Sequence, residues 1–140
     1  MEDLKATGRE KSLRVEADFE RTSGLKERLE RLLREAAEVE VELSRADGTI
    51  RGVPHYSIIE GRAHELGKRR SREVQQRQMS ELAASQAGTA KCPGCGAVVR
   101  LESRRRDVKS VDGDTALQEL AGECRHCRRH FFPDARALGL

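Results

Sequence analysis

Four cysteines carry the clearest chemistry in this chain of 140 residues, because they form two pairs with equal spacing. Cys92 and Cys95 enclose Pro-Gly, and Cys124 and Cys127 enclose Arg-His. Each pair can form a tight turn whose two sulfurs bind one metal ion, and two such turns complete a tetrahedral thiolate site for Zn²⁺. A site of four protein sulfurs has no open position for water, so the spacing predicts one structural zinc ion rather than a catalytic one.

The same cysteines have a second interpretation, as unpaired thiols or a redox pair. The metal site is favoured because the sequence predicts a reducing compartment. The N-terminal residues are charged, unlike those of a signal peptide, and no apolar run reaches transmembrane length. These features predict a cytoplasmic protein without a membrane partner, where paired cysteines bind metal more often than they form disulfides.

The residues around each pair suit a metal-binding turn. Gly96 follows the first pair, at a position that often needs the positive φ that glycine adopts without strain. Arg128 is the equivalent residue in the second turn and is less suited to that backbone. The basic residues placed to offset the surplus negative charge of the thiolates are Lys91, Arg125, Arg128 and Arg129.

Two histidines and two phenylalanines lie in or after the second turn. His126 and His130 are predicted to be surface or packing residues, although either side chain can in principle replace a cysteine ligand. Phe131 and Phe132 have a base-stacking interpretation. At least one of them is instead expected to close the small core beside the metal, since adjacent strand side chains face opposite ways.

The segment between the two pairs has the pattern of β-strands. Residues 97–101 and 107–111 suit strands, Asp112-Gly113 suits a tight turn, and residues 115–120 lead back toward Cys124. Residues 91–140 are therefore predicted to form a zinc ribbon.

The region before the ribbon is predicted to be helical. Residues 1–23 are expected to form a loosely structured or short helical lead, and residues 24–86 a two-helix region with a Gly- and Pro-rich connector at 46–56. The second helix is expected to run from about Ser57 to about Ser85.

The first helix carries an apolar stripe, called here the apolar seam, that begins after Ser23, a candidate N-cap. Its members are separated alternately by four and three residues, which predicts packing against another helix, in a hairpin or between two chains. Residues 38–43 also alternate like a strand, but helix is favoured because the seam continues in phase through them. The seam consists of Leu25, Leu29, Leu32, Ala36, Val39 and Leu43.

These features predict an α+β chain, with an N-terminal helical hairpin or coiled-coil-like segment followed by a small zinc-ribbon β module. The composition agrees with this architecture. Because 36% of the residues are hydrophobic, 36% are charged and none is Trp, the chain has little material for one large core.

Several basic stretches are candidates for contact with double-stranded DNA. Residues 61–80 carry six Lys or Arg against two acidic residues, and residues 91–130 carry nine against six. Short charge runs are usually solvated faces, and the pattern assigns no base-specific contact. The candidate contacts are Lys68, Arg69, Arg70, Arg104, Arg105, Arg106, Arg128 and Arg129.

Four stretches after Gly52 resemble the sequences of a known family. They are residues 53–60, the Cys-Pro-Gly-Cys-Gly turn, residues 108–113, and residues 124–133 running on to Leu-Gly-Leu at 138–140. This part of the chain resembles the N-terminal region of bacterial insertion-sequence transposases of the ISKra type. The resemblance implies that the four cysteines bind zinc ahead of an RNase H-like domain, whose three acidic residues bind divalent metal and cut DNA. The chain stops at Leu140, where that domain would begin, so no catalytic carboxylate is carried over, and residues 1–51 lie outside the resemblance.

The functional expectation is a transposase-derived, non-catalytic zinc-binding protein that contacts DNA. The alternative is a protein–protein interaction module that uses the apolar seam, including homodimer formation through the N-terminal helices. An enzyme, such as a nuclease using His126 or His130, is disfavoured because the sequence has no clustered acidic set with metal spacing and no nucleophile with a matched base. No small-molecule substrate is expected.

Overall fold

A computed structural model describes residues Asp3–Leu140, with side chains described from Gly8 onward. The chain has the predicted α+β architecture, in which two long helices precede a four-stranded antiparallel sheet. It divides into a first compact unit that ends at Ile58 and a second unit, Ile59–Leu140.

Helix α1 (Asp3–Ala46) forms most of the first unit. It begins at Asp3 rather than near residue 24, so the lead expected to be loose or a short helix is part of one continuous helix. Met1 and Glu2 lie outside the described residues. The cause is local, because this segment has no proline and is rich in Glu, Arg, Lys, Leu and Ala, which favour helix strongly enough to accommodate Gly8. Ser23 therefore lies inside the helix instead of at its N-cap, whereas residues 38–43 are helical as favoured.

A glycine turn ends α1. The Asp47 N–H donates to Leu43 O at 2.9 Å, and Gly48 then adopts a φ of 75°. Glycine enters this left-handed region without strain, so it commonly follows a helix. Asp47 Oδ1 also accepts from the Thr49 N–H at 2.9 Å, a local bond that competes with further helix. The connector spans residues 47–55 and agrees closely with the predicted 46–56.

Helix α2 (Tyr56–Ser85) starts one residue before the predicted position. The Ser57 N–H donates to His55 Nδ1 at 3.3 Å, so the histidine ring satisfies one of the N–H groups that a helix N-terminus leaves without an internal partner. The predicted end at Ser85 is the observed one.

Four strands form the sheet and pair in chain order, each antiparallel to the next. They are β1 (Thr89–Lys91), β2 (Val98–Ser110), β3 (Gly113–Glu123) and β4 (His130–Phe131). The two turns that carry the cysteines connect β1 to β2 and β3 to β4. The topology therefore brings both turns to the same end of the long β2–β3 hairpin.

Strand β2 joins the two shorter strands predicted at 97–101 and 107–111. The arginines between them remain extended because β3 supplies a partner opposite each one. Arg104 lies opposite Glu119, and Arg105 lies opposite Gln118. Cross-strand pairs of this kind stabilise extended backbone even where the sequence has low β-propensity.

One side of α2 lies along β3 and its turn within the second unit. Arg72 Nη1 donates to Asp112 O at 2.6 Å, and Gln76 Nε2 donates to Thr115 Oγ1 at 3.1 Å. Further along α2, an apolar side lines a cavity of about 180 Å³ together with β3 and α3 (Ala135–Leu138), a short helix that the sequence pattern did not predict. Polar contacts of Arg72 and Gln76 thus join this α2 face to β3 and its turn, and apolar side chains nearer the C-terminus of α2 face β3 and α3.

The sheet core is small and includes one cysteine of each pair. Cys92, Val99 and Cys124 form a buried cluster, with Ala97 and Phe131 packed against it. The prediction that a phenylalanine closes the core beside the cysteines is therefore confirmed for Phe131.

Gly122 is the tightest point of this core. It lies opposite Leu101 on β2 and opposite Phe131 on β4. A methyl group on its Cα would lie 2.7 Å from Phe131 Cζ and 3.1 Å from Leu101 Cδ2, which is closer than van der Waals contact allows. Glycine lets the aromatic ring lie directly on the strand.

We expect Gly122→Ala to lower the free energy of unfolding of the sheet by about 1–3 kcal/mol, because the added methyl group displaces the Phe131 ring. Hydrogen exchange of the strand amides, measured as a function of urea concentration, gives the change in the free energy of unfolding. Gly88→Ala is the matched control, since a methyl group there meets nothing within 4 Å. Equal stability of the two variants would contradict the packing described.

Candidate metal centre

The first cysteine turn is fixed by backbone hydrogen bonds. The Cys92 N–H donates to Ala97 O at 2.8 Å, and the Gly96 N–H donates to Cys92 O at 2.9 Å. The Gly94 N–H lies 3.4 Å from Cys92 Sγ, so the backbone also stabilises negative charge on the sulfur. Gly96 has a φ of 74°, as the sequence predicts.

The second turn repeats this geometry. The Cys124 N–H donates to Arg129 O at 2.9 Å, which spans the same number of residues as the bond from Cys92 to Ala97. Arg128 occupies the position equivalent to Gly96 and has a φ of 57°. Among the described residues it is the one non-glycine residue with a positive φ. The turn imposes this backbone strain, which the surrounding hydrogen bonds maintain.

The two turns bring the four cysteine sulfurs together. All four Sγ atoms lie within 4.8 Å of one another. Cys92 Sγ is 3.4 Å from Cys127 Sγ, and Cys95 Sγ is 3.5 Å from Cys124 Sγ. The cysteines are free thiols, and these separations are far above the roughly 2.05 Å of a disulfide. They are close to the roughly 3.8 Å between sulfurs that follows from tetrahedral coordination with metal–sulfur bonds of about 2.3 Å. The donor set therefore fits a metal ion.

Each turn contributes one buried and one exposed cysteine. Cys92 and Cys124 are 3% and 1% exposed, whereas Cys95 and Cys127 lie at the surface. A metal ion held by all four would join the buried cluster to the outer rim of both turns.

The pair formed by Cys92 and Cys127 has unequal proton affinities. Burial acts to raise the pKa of Cys92, but the backbone N–H groups of Cys95 and Gly94 and the neighbouring thiols lower it to about 6. The hydrogen bond to Cys92 is the main cause that raises the pKa of Cys127 to about 12. The hydrogen bond between the two sulfurs therefore favours negative charge on Cys92 over Cys127.

The pair formed by Cys95 and Cys124 behaves in the same way. The backbone N–H of Cys127 is the main cause that lowers the pKa of Cys124, against the effect of burial. The backbone N–H of Ala97 favours the thiolate form of Cys95, but the hydrogen bond with Cys124 and burial raise its pKa. In each cross-turn pair, the hydrogen bond between the two sulfurs lowers the pKa of one cysteine and raises that of the other.

The Arg129 side chain of the second turn lies close to Gly94 of the first turn. A methyl group on Gly94 would lie 3.2 Å from the Arg129 guanidinium and 3.5 Å from Cys127 Sγ. The guanidinium consequently lies beside the sulfur cluster, where its charge offsets that of the thiolates. All four predicted charge-offsetting residues, Lys91, Arg125, Arg128 and Arg129, are exposed.

Three of the other basic candidates lie in ion pairs at the surface. Lys68 Nζ is 2.9 Å from Glu65, Arg105 is 3.1 Å from Asp107, and Arg104 is 3.8 Å from Glu123. Pairs of this kind contribute little to stability and leave their cations accessible to other anions. Arg69 and Arg70 are exposed on α2.

Arg106 differs from the other basic candidates because it pairs with a buried acid. Glu119 is 4% exposed, and its Oε2 lies 3.3 Å from Arg106 Nη1. The guanidinium also lies 5.3 Å from the centre of the Phe132 ring. Sequence reasoning missed this role for Glu119. The signal that could have indicated its burial is the alternation of β3, in which Glu119 lies on the same buried face as Leu117 and Ala121.

The histidines stay apart from the sulfur cluster. His126 is exposed, and His130 Nε2 lies 3.8 Å from Glu123 Oε1 at the surface. Within the described part of the chain, the four cysteines form the one group of three or more His, Cys, Asp or Glu side chains close enough together to hold a metal ion.

Comparisons with known proteins identify no relative, since no family model, curated protein or solved structure matches the chain. Among the described residues, no helix combines the length and apolar character needed to cross a membrane.

The positive φ of Arg128 leads to a stability prediction. Arg128→Gly removes the strain of a side chain in the left-handed region, whereas Arg125→Gly removes the same side chain where φ is not positive. We expect Arg128→Gly to be more stable than Arg125→Gly by about 1–2 kcal/mol in urea unfolding. An equal loss of stability in both variants would show that the turn imposes no strain at Arg128.

Proposed function

We propose that Cys92, Cys95, Cys124 and Cys127 hold one structural Zn²⁺ ion. The observation that carries this proposal is the placement of four free sulfurs within 4.8 Å of one another by two matching turns. Four thiolates in tetrahedral positions favour zinc or iron, and zinc is favoured for a closed structural site because it requires no redox chemistry. Protein sulfur fills every coordination position, so the ion has no catalytic role in this proposal.

The small core supports a structural role for the ion. The buried hydrophobic residues of the described chain include few large side chains, and two of the six are the ligands Cys92 and Cys124. A module this small buries too little apolar surface to be stable without a metal ion or a similar cross-link. The free energy of metal binding therefore becomes free energy of folding.

We expect chelation of the metal, or Cys124→Ser, to unfold the sheet module. Metal analysis of the purified chain should give one zinc per chain, and hydrogen exchange should show loss of protection in β2 and β3 after chelation. Adding Zn²⁺ back to the wild-type chain should restore protection, whereas the serine variant should stay unprotected.

Two results would contradict this proposal. Protection of β2 and β3 that survives complete removal of metal would show that the sheet needs no ion. One iron per chain, with thiolate-to-iron absorption, would assign the site to a different metal.

We further propose that the ribbon contacts the phosphate backbone of double-stranded DNA. Support comes from the charge of the two turns, where residues 91–97 and 124–130 carry four Lys or Arg and no acidic residue. The positive charge of these four side chains exceeds the net negative charge of Zn²⁺ bound by four thiolates. The surface of the turns therefore remains positive. Contacts of this kind are independent of sequence and weaken as salt rises.

The proposed origin of the module is an insertion-sequence transposase of the ISKra type. Its support is the resemblance of residues 53–60 and 124–133 to that family. On this proposal the chain is a non-catalytic DNA-contacting module that retains a preference for the ends of such an element. Arg106 is not assigned to the contact surface, because it pairs with Glu119.

We expect the zinc-loaded chain to bind duplex DNA with an affinity that falls as salt rises. Arg128→Gly should lower the slope of log affinity against log salt by about one, because one phosphate contact is lost while the turn backbone stays compatible with folding. Arg14→Ala in α1 is the matched control, since it removes the same charge and should leave the slope unchanged.

The DNA probes should be a duplex carrying the terminal sequences of an ISKra-type element and a scrambled duplex of equal composition. Tighter binding to the terminal sequences supports the proposed origin, and equal binding supports backbone contact alone. Absence of binding at low salt would refute DNA contact and leave the zinc proposal intact.

A further inference from the structure

The apolar seam of α1 is exposed to solvent. Leu25, Leu32 and Val39 expose 56%, 44% and 58% of their surface. Between Gly8 and Ala46, the structure buries one side chain of the helix, that of Ser44. Helices in proteins are stabilised mainly by packing of an apolar face, so a helix of 44 residues with its seam in water calls for a partner helix.

The seam is symmetric about Arg34 in the sequence. Leu25 and Leu43 are equidistant from Arg34, as are Leu29 and Val39, and Leu32 and Ala36. When two copies of α1 lie antiparallel with their centres at Arg34, each seam residue therefore meets the seam residue of the other copy that lies equally far from Arg34 on the opposite side. The six seam positions then form six apolar layers with no residue left over.

The charged residues beside the seam complement one another in this antiparallel arrangement. Arg28 lies next to Glu42 of the second copy, and Lys26 lies next to Glu40 of the second copy; twofold symmetry repeats both pairs. Leu33 meets its own counterpart at the centre. The one like-charge contact is Glu35 with its counterpart, also at the centre.

A parallel arrangement is opposed by the same residues. The positions that flank a parallel seam would bring Arg21 next to Lys26 and Glu35 next to Glu40, and symmetry repeats each like-charge pair. Four repulsive contacts replace four attractive ones. We propose that α1 binds α1 of a second copy of this chain as an antiparallel helix pair centred on Arg34.

Charge reversal at Arg28 and Glu42 tests both the contact and its direction. Arg28→Glu and Glu42→Lys each convert two symmetry-related attractions into repulsions, so each single variant should raise the dimer dissociation constant about tenfold. The double variant restores opposite charges and should return it to within about threefold of wild type. Sedimentation equilibrium of the full zinc-loaded chain over a concentration series measures these constants.

Arg34→Glu is the matched control, since it makes the same charge change on the side of the helix away from the seam and should leave the dissociation constant unchanged. Leu32→Asp should abolish dimer formation while hydrogen exchange in β2 and β3 remains protected. A chain that is monomeric at every concentration overturns the proposal. A dimer that neither Arg28→Glu nor Glu42→Lys weakens overturns the antiparallel direction.

Discussion

The convergence of four sulfurs at one end of the β2–β3 hairpin is the constraint on which the second unit depends. Strands β1 and β4 are three and two residues long and lie at the two edges of the sheet. Strands this short pair too weakly to persist alone. Because each is joined to a long strand through a cysteine turn, a metal ion that holds both turns also holds both edge strands in register.

The strained residue and the tight glycine follow from the same constraint. A turn that directs two sulfurs to one point needs a left-handed residue after its second cysteine, which Gly96 supplies freely and Arg128 supplies under strain. Bringing β4 back beside β3 presses the Phe131 ring onto the backbone of Gly122. The core near the sulfurs therefore depends on the backbone geometry of the two turns and of Gly122 at least as much as on the amount of apolar surface that it buries.

Local pattern was sufficient to predict the elements that local chemistry decides. The cysteine turns, the connector after Ala46 and the helix through residues 38–43 were predicted because spacing, glycine and heptad phase act over a few residues. The unbroken β2 and the buried Glu119 were not, since both depend on partners more than ten residues away on the neighbouring strand. Helix from Asp3 was missed for another reason, because summed propensity is weak evidence at each residue and strong only over a long segment.

Both units of the chain lack a large core of their own, and a different binding partner could stabilise each of them. The sheet gathers sulfurs that match a metal ion, and α1 displays a seam whose symmetry matches a second copy of itself. Binding of either partner adds its free energy to the folded state in proportion to the logarithm of the partner's concentration. The stability of the sheet should accordingly follow the free metal concentration, and that of α1 the concentration of the chain, so the two transitions separate in an unfolding experiment that varies one at a time.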